Sequence, residues 1–161
     1  MGGAIVDSLV GAVPKDYDIF CTKRVGWNIP QNWKYIKPEN ADQIKARQAE
    51  YDIENKQGLN PIKEVNDFDV ELDDKIIRVQ LIYVDYDDAR KHLKNFDHTL
   101  TLAWFSKNGV YIHRKVFESL NTKTVTLLNN KKPEKSKLRA LKKIEKLDPE
   151  GKDNWKLIGW E

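Results

Sequence analysis

Residues Gly2 to Phe20 read GGAIVDSLVGAVPKDYDIF, and the fold is decided in this stretch. Behind the two glycines, Ala4, Ile5, Val6, Leu9 and Val10 recur at helical spacing. Gly11 is suited to stop that helix, and Pro14 bars its continuation. Past Pro14 the period changes from 3.6 to 2, with Tyr17, Ile19 and Cys21 alternating with Asp16, Asp18 and Phe20. A short helix therefore feeds a strand. Because side chains at i and i+2 share a face, that strand carries Asp16 and Asp18 side by side.

Two carboxylates about 7 Å apart along a strand repel unless a cation lies between them. Hard oxygen donors of this kind suit Mg²⁺ or Mn²⁺, which leave positions for water and substrate phosphates. Ions so held can stabilise both the attacking and the leaving oxygen of a phosphoryl displacement. Most Asp-x-Asp pairs are merely solvated, so the spacing by itself carries little. The glycine pair adds context, since glycine lets backbone approach a polyphosphate closely.

Working outward, residues 23–37, with Gly26 and Pro30, read as an irregular loop, and 38–55 as a helix opened by Pro38. Val65, Phe68, Val70 and Leu72 lead into an Asp73-Asp74 turn, from which Ile77, Val79, Leu81 and Tyr83 alternate away as a hairpin. Residues 87–95 are short and helical, 99–105 and 109–112 are apolar segments, 115–120 is a helical turn, and 124–128 suits a strand. Residues 135–147 form a further helix. The pattern predicts an α/β (α+β) fold with a small mixed sheet flanked by helices. A core over 1–130 would be followed by a basic helical segment over 131–161 packed on it.

The chain has 161 residues, 33% of them charged, and a net charge of only +3. Charge is concentrated between Lys131 and Lys146, where eight basic residues face two acids, so the remainder is slightly acidic. A single cysteine, Cys21, excludes a disulfide framework and a cysteine-based zinc site, and the three histidines show no ligand spacing. No apolar run is long enough for a membrane helix, which points to a cytoplasmic protein with no membrane partner. In the basic segment, Arg139, Lys142 and Lys143 are candidates to contact nucleic-acid phosphates. The competing account, a solvated helix whose Leu138, Leu141 and Ile144 cover the core, is favoured by the apolar stripe. Trp155 and Trp160 suit packing, and His98 and His113 suit structural roles.

The opening stretch resembles the first motif of the nucleotidyltransferase superfamily that includes tRNA nucleotidyltransferases, bacterial poly(A) polymerases and DNA polymerase β. Gly2, Gly3, Asp7, Leu9, Gly11, Pro14, Lys15, Asp16 and Asp18 match it in register. Residues 95–104, NFDHTLTLAW, resemble the second motif, an acid followed two residues later by Thr. The resemblance implies a nucleotidyltransferase fold in which Asp16 and Asp18 hold the metal and Asp97 is the third acid, either a metal ligand and base or a contact to the ribose. Some branches place that acid on the strand corresponding to 79–84, which here carries Gln80, so the role passes to Asp97. Gly2, Gly3, Ser8, Lys15, Lys23 and Arg24 would bind the nucleotide. The implied activity is template-independent transfer of a nucleoside monophosphate from a nucleoside triphosphate to a hydroxyl, an RNA or tRNA 3′ end being favoured.

Two departures bear on this. The arginine of the family's Arg-Asp pair is Val6 here, and the long helical body that measures tRNA is missing. A minimal head of phage or toxin type fits, as do two alternatives: an inactive nucleotide- or RNA-binding module, and a transferase acting on a protein or small molecule.

Overall fold

A computed structural model describes residues 1–22, 30–36, 45–46, 49, 62–129 and 132–160. The chain divides into two compact units, Lys15–His92 and Met1–Pro14 with Leu93–Glu161. The first is built on a sheet of four strands: β1 (Asp16–Cys21), β2 (Trp33–Tyr35), β3 (Ile62–Leu72) and β4 (Lys75–Val84), in the order β1-β4-β3-β2. β1 runs parallel to β4, while β4 with β3 and β3 with β2 are antiparallel. The sheet is mixed and the class is α+β, as the sequence pattern predicts.

The β3–β4 turn falls on Asp73 and Asp74, both left-handed at φ 46° and 61°. Two such residues match the right-handed twist of a hairpin, and aspartate tolerates this region better than most residues. β2 lies in the stretch expected to be a loop. Three residues are too short to show a period, and only pairing with β3 makes them a strand. The helix expected over 38–55 lies outside the described residues apart from 45, 46 and 49, which are helical.

One face of the sheet buries Phe68, Val70, Val79 and Leu81, with Tyr17, Ile19, Trp33 and Ile77 packed against them. The other face is divided along its length. Ile62, Ile82 and Val84 form an apolar cluster with Phe20, Val65, Tyr86 and Ala89. Beyond it the same face turns charged. A 3₁₀ turn over Ala89–Asn95 follows, with the His92 ring 4.8 Å from that of Phe20.

The second unit contains α1 (Gly3–Leu9), a 3₁₀ turn (Thr99–Thr101), the hairpin β5 (Ala103–Ser106) and β6 (Gly109–Ile112), α2 (Arg114–Thr122), β7 (Thr124–Thr126), α3 (Pro133–Leu147) and β8 (Lys156–Ile158). α1 ends where predicted, with Gly11 at φ 78°. Val6 of α1 is buried with Ala103 and Val116. Leu100, Val125 and Ala140 form the other core, closed by Ile144, Leu147, Leu157, Trp155 and Trp160, so both tryptophans pack. β8 pairs parallel with β7 and had no legible period. Among the described residues no helix is long and apolar enough to cross a membrane.

The face of α3 differs from expectation. Leu138 and Leu141 are 54% and 46% exposed, whereas Ser136, Ala140, Ile144 and Leu147 turn inward. The helix is rotated so that Arg139, Lys143 and Lys146 meet acids of the unit, a requirement that hydrophobic periodicity cannot register. Leu100→Ala should therefore cost about 2–5 kcal/mol of stability. Leu138→Ala should change it by less than about 0.5 kcal/mol. Urea denaturation followed by tryptophan fluorescence separates the two.

Candidate active site

The charged part of the sheet is laid out by strand register. Asp16 stands beside Arg78 and Asp18 beside Gln80 across the β1–β4 pair. On the far side, Arg78 stands beside Asp69 and Gln80 beside Asp67. Directly paired residues share a face. Two rows result, Asp16–Arg78–Asp69 and Asp18–Gln80–Asp67, on the face opposite Phe68 and Leu81. Arg78 Nε donates to Asp69 Oδ1 at 2.9 Å, and Gln80 Nε2 donates to Asp67 Oδ1 at 2.5 Å. Both central side chains are thus engaged with β3. Asp16 and Asp18 are half-buried, and among the described residues the Asp16 carboxylate makes no hydrogen bond or ion pair.

Asp67 and Asp69 were not singled out from sequence, although Asp67-Phe68-Asp69 repeats the Asp-x-Asp spacing. That repeat was the available signal. Sheet order alone puts it in the same rows as the first pair. Among the described residues no three His, Cys, Asp or Glu side chains converge as metal donors. The donor chemistry at β1, two carboxylates on one face, fits a Mg²⁺ ion that completes its shell with water and substrate phosphate oxygens. It does not fit a closed structural site.

The glycine pair lies in the other unit. Gly2 has φ 96° and ψ −151°, a region open essentially to glycine alone, and its N–H donates to the Ala103 carbonyl at 2.8 Å. Lys143 Nζ donates to the Gly3 carbonyl at 2.6 Å, and a Cβ on Gly3 would lie 3.1 Å from that nitrogen. Lys143 also pairs with the buried Asp7, whose second oxygen accepts from Lys146 at 2.8 Å. Burial pushes the Lys143 ammonium below its usual range, against the opposing pull of Asp7.

These contacts locate the remaining sequence candidates. Lys143, 10% exposed at its side chain, is turned inward onto Asp7 and Gly3. Arg139 Nη1 reaches Asp97 Oδ2 at 3.2 Å, and Lys142 is exposed. Ser8 Oγ donates back to the Ala4 carbonyl at 3.0 Å, and Lys15 is exposed just before β1. Lys23 and Arg24 lie outside the described residues. Asp97 belongs to the unit of Gly2 and Gly3, whereas Asp16 and Asp18 belong to the sheet unit. Val6, which stands where the resembled motif has an arginine, is completely buried.

Beside Asp97, burial holds the His98 imidazole down to about 4 from 6.5, with Asp97 opposing and Lys143 and Arg139 reinforcing. Its Nδ1 has no hydrogen-bond partner among the described residues.

No protein-family model matches the chain, and no curated protein matches it. Among solved structures it is similar to one described as "tRNA-processing enzyme (apo form I)", with a TM-score of 0.50, 13% identity, and coverage of 99% of this chain and 38% of that one. A second, "Structure of tRNA-processing enzyme complex 3", gives a TM-score of 0.44 and 12% identity, covering 99% of this chain and 40% of that one. The first likeness is one of fold, and the chain spans well under half the length of that enzyme.

Two outcomes follow from the helical unit. Asp7→Ala leaves Lys143 buried without its counter-charge, and should cost about 3–5 kcal/mol. The double variant Asp7→Ala/Lys143→Met should recover part of that loss in thermal melts. The second concerns pH. Below 6.5 the unfolded chain takes up a proton at His98 that the folded chain refuses until about 4. Stability present above 6.5 is therefore lost as pH falls through this window. Urea midpoints should drop between about pH 7 and about pH 4.5, and His98→Leu should shrink that drop.

Proposed function

We propose that this chain is the catalytic head of a template-independent nucleotidyltransferase, acting on a nucleoside triphosphate and a hydroxyl acceptor, with an RNA or tRNA 3′ end favoured. The observation that carries this is the placement of Asp16 and Asp18 on one face of β1, beside the Arg78 and Gln80 positions of a parallel neighbour. Resemblance of Gly2–Phe20 to the superfamily's first motif supports it, as does likeness of fold to a tRNA-processing enzyme.

In the proposed reaction the acceptor oxygen attacks the α-phosphorus. The bond from that phosphorus to the β-bridging oxygen breaks, pyrophosphate leaves with the electron pair, and the acceptor proton passes to solvent or a carboxylate. Mg²⁺ bound through Asp16 and Asp18 would supply charge neutralisation on the phosphates. The two aspartates fix where the triphosphate lies, and positioning of this kind provides much of the rate in phosphoryl transfer. By resemblance to the opening motif, Lys15, exposed just before β1, is assigned to the phosphates, whereas the Gly2 N–H is already given to the Ala103 carbonyl. Asp97, bound by Arg139, retains oxygen lone pairs able to accept from a ribose hydroxyl.

The burial of Val6 favours a second reading, a binding module without turnover, because the arginine it replaces is a nucleotide contact in the family. Incubating the full chain with α-labelled nucleoside triphosphates, Mg²⁺ and short RNAs separates the two. Asp16→Ala should lower incorporation by about 10²-fold or more. Nucleotide binding without incorporation by the wild type would leave only the binding module.

A further inference from the structure

We infer that the β5–β6 hairpin and the first turn of α2 form a docking surface for single-stranded RNA. Bases stack on the Trp104–Tyr111 pair, and Lys107, Arg114 and Lys115 meet the phosphates. This deepens the reading above, on which it rests for RNA as the acceptor, by naming where the strand lies. The residues belong to the unit of α1 and α3, not to the unit of Asp16 and Asp18.

From His98 to Phe117 the chain has no Asp or Glu, although 25 of its 161 residues are acidic, a share that would place about three in such a stretch. The same stretch sets Trp104, Phe105, Tyr111 and Phe117 among Lys107, Arg114 and Lys115. Alternation sorts the hairpin into two faces. Ala103, opposite Ile112, turns to the core with Val6 and Val116, so Trp104, opposite Tyr111, stands on the outer face. The two rings stack with 5.2 Å between centroids and 9° between planes. Tyr111 is 41% exposed, and Phe105 and Phe117 are exposed as well. A parallel pair leaves an outer ring face on which a base continues the stack, and every base has a face to offer. Lys107, in the hairpin turn, and Lys115 are exposed, and among the described residues neither ammonium makes an ion pair. Arg114 pairs with Glu118 at 3.0 Å, but a pair so exposed is weak and yields to a phosphate. Rings interleaved with cations, and no acid among them, suit a polyanion with flat bases.

A second feature favours RNA over DNA. Lys115 also lines a cleft of about 230 Å³, together with Thr99, Ser119, Thr122 and Thr124. Thr99 and Ser119 are buried and bond each other at 2.6 Å. Thr122 and Thr124 donate their hydroxyl protons to the Glu118 and Thr122 carbonyls, at 2.8 and 3.2 Å. What these two offer a ligand is therefore lone pairs, which a ligand hydroxyl meets as donor while accepting from the Lys115 ammonium. A ribose 2′-OH does both, and deoxyribose has no such group.

The test is fluorescence anisotropy of a labelled, unstructured RNA of about ten nucleotides, titrated with the full-length chain in EDTA and without nucleoside triphosphate. Wild type should bind, with affinity falling as salt rises. Tyr111→Ala should weaken binding about tenfold at an unchanged salt slope, and Tyr111→Phe should keep the wild-type affinity. Lys107→Ala and Lys115→Ala should each reduce the salt slope by about one. DNA of the same sequence should bind about tenfold more weakly than RNA, and Thr124→Val should cut affinity for RNA while leaving that for DNA unchanged. No binding by wild type, wild-type affinity in Tyr111→Ala, or equal affinity for RNA and DNA would overturn the proposal. So would a loss on Lys142→Ala with none on the hairpin variants, which would put the RNA on α3. A dimer that Tyr111→Ala breaks without changing RNA affinity would overturn it too, since the face would then join two copies of the chain. With neither metal nor triphosphate present, this binding can fail while incorporation at β1 stands, and the reverse.

Discussion

The alternation of β1 constrains the sheet more than any other feature. Tyr17 and Ile19 are drawn into the core with Val79 and Leu81, and a strand that buries its odd residues must present its even ones on the opposite face. Asp16 and Asp18 occupy that face for this reason. A slip of one residue against β4 would bury both carboxylates and expose the apolar pair, a change that costs far more than any alternative pairing could return. The register that seats the core is thus the one that lines up the polar rows.

A comparable economy governs the helical unit, where burial of charge takes the place of alternation. Asp7, Lys143 and Lys146 form an internal ion cluster that also holds the Gly3 carbonyl. A buried acid requires a partner, and a buried ammonium requires one as well. The two demands together orient α3, even at the expense of leaving Leu138 and Leu141 outside. The strong positive charge of the segment from Lys132 onward is in part an internal matter, met by Asp7 and Asp97, and in part a surface one, with Lys142 outward.

The chemistry proposed for this protein is spread over short segments that each need their own backbone conformation. Gly2 adopts a conformation closed to other residues, Asp16 and Asp18 need extended backbone, and Asp97 sits just before a 3₁₀ turn. The chain's likeness to a solved tRNA-processing enzyme, over 38% of that enzyme's length and at 13% identity, is one of fold.

Much of this was written locally. The helix after Gly3, its stop at Gly11, the strand of Asp16 and Asp18, the hairpin turn at Asp73-Asp74 and the final helix all follow from periodicity and turn chemistry that act within a few residues. What only the tertiary structure decided involves partners distant along the chain. The pairing of β2, the addition of β8, the rotation of α3 onto Asp7, and the alignment of Asp67 and Asp69 with β1 depend on which strands become neighbours and which charges are buried together. A hydrophobic period reports how a segment meets an apolar environment. It carries no record of which acid, 136 residues away, a lysine must neutralise.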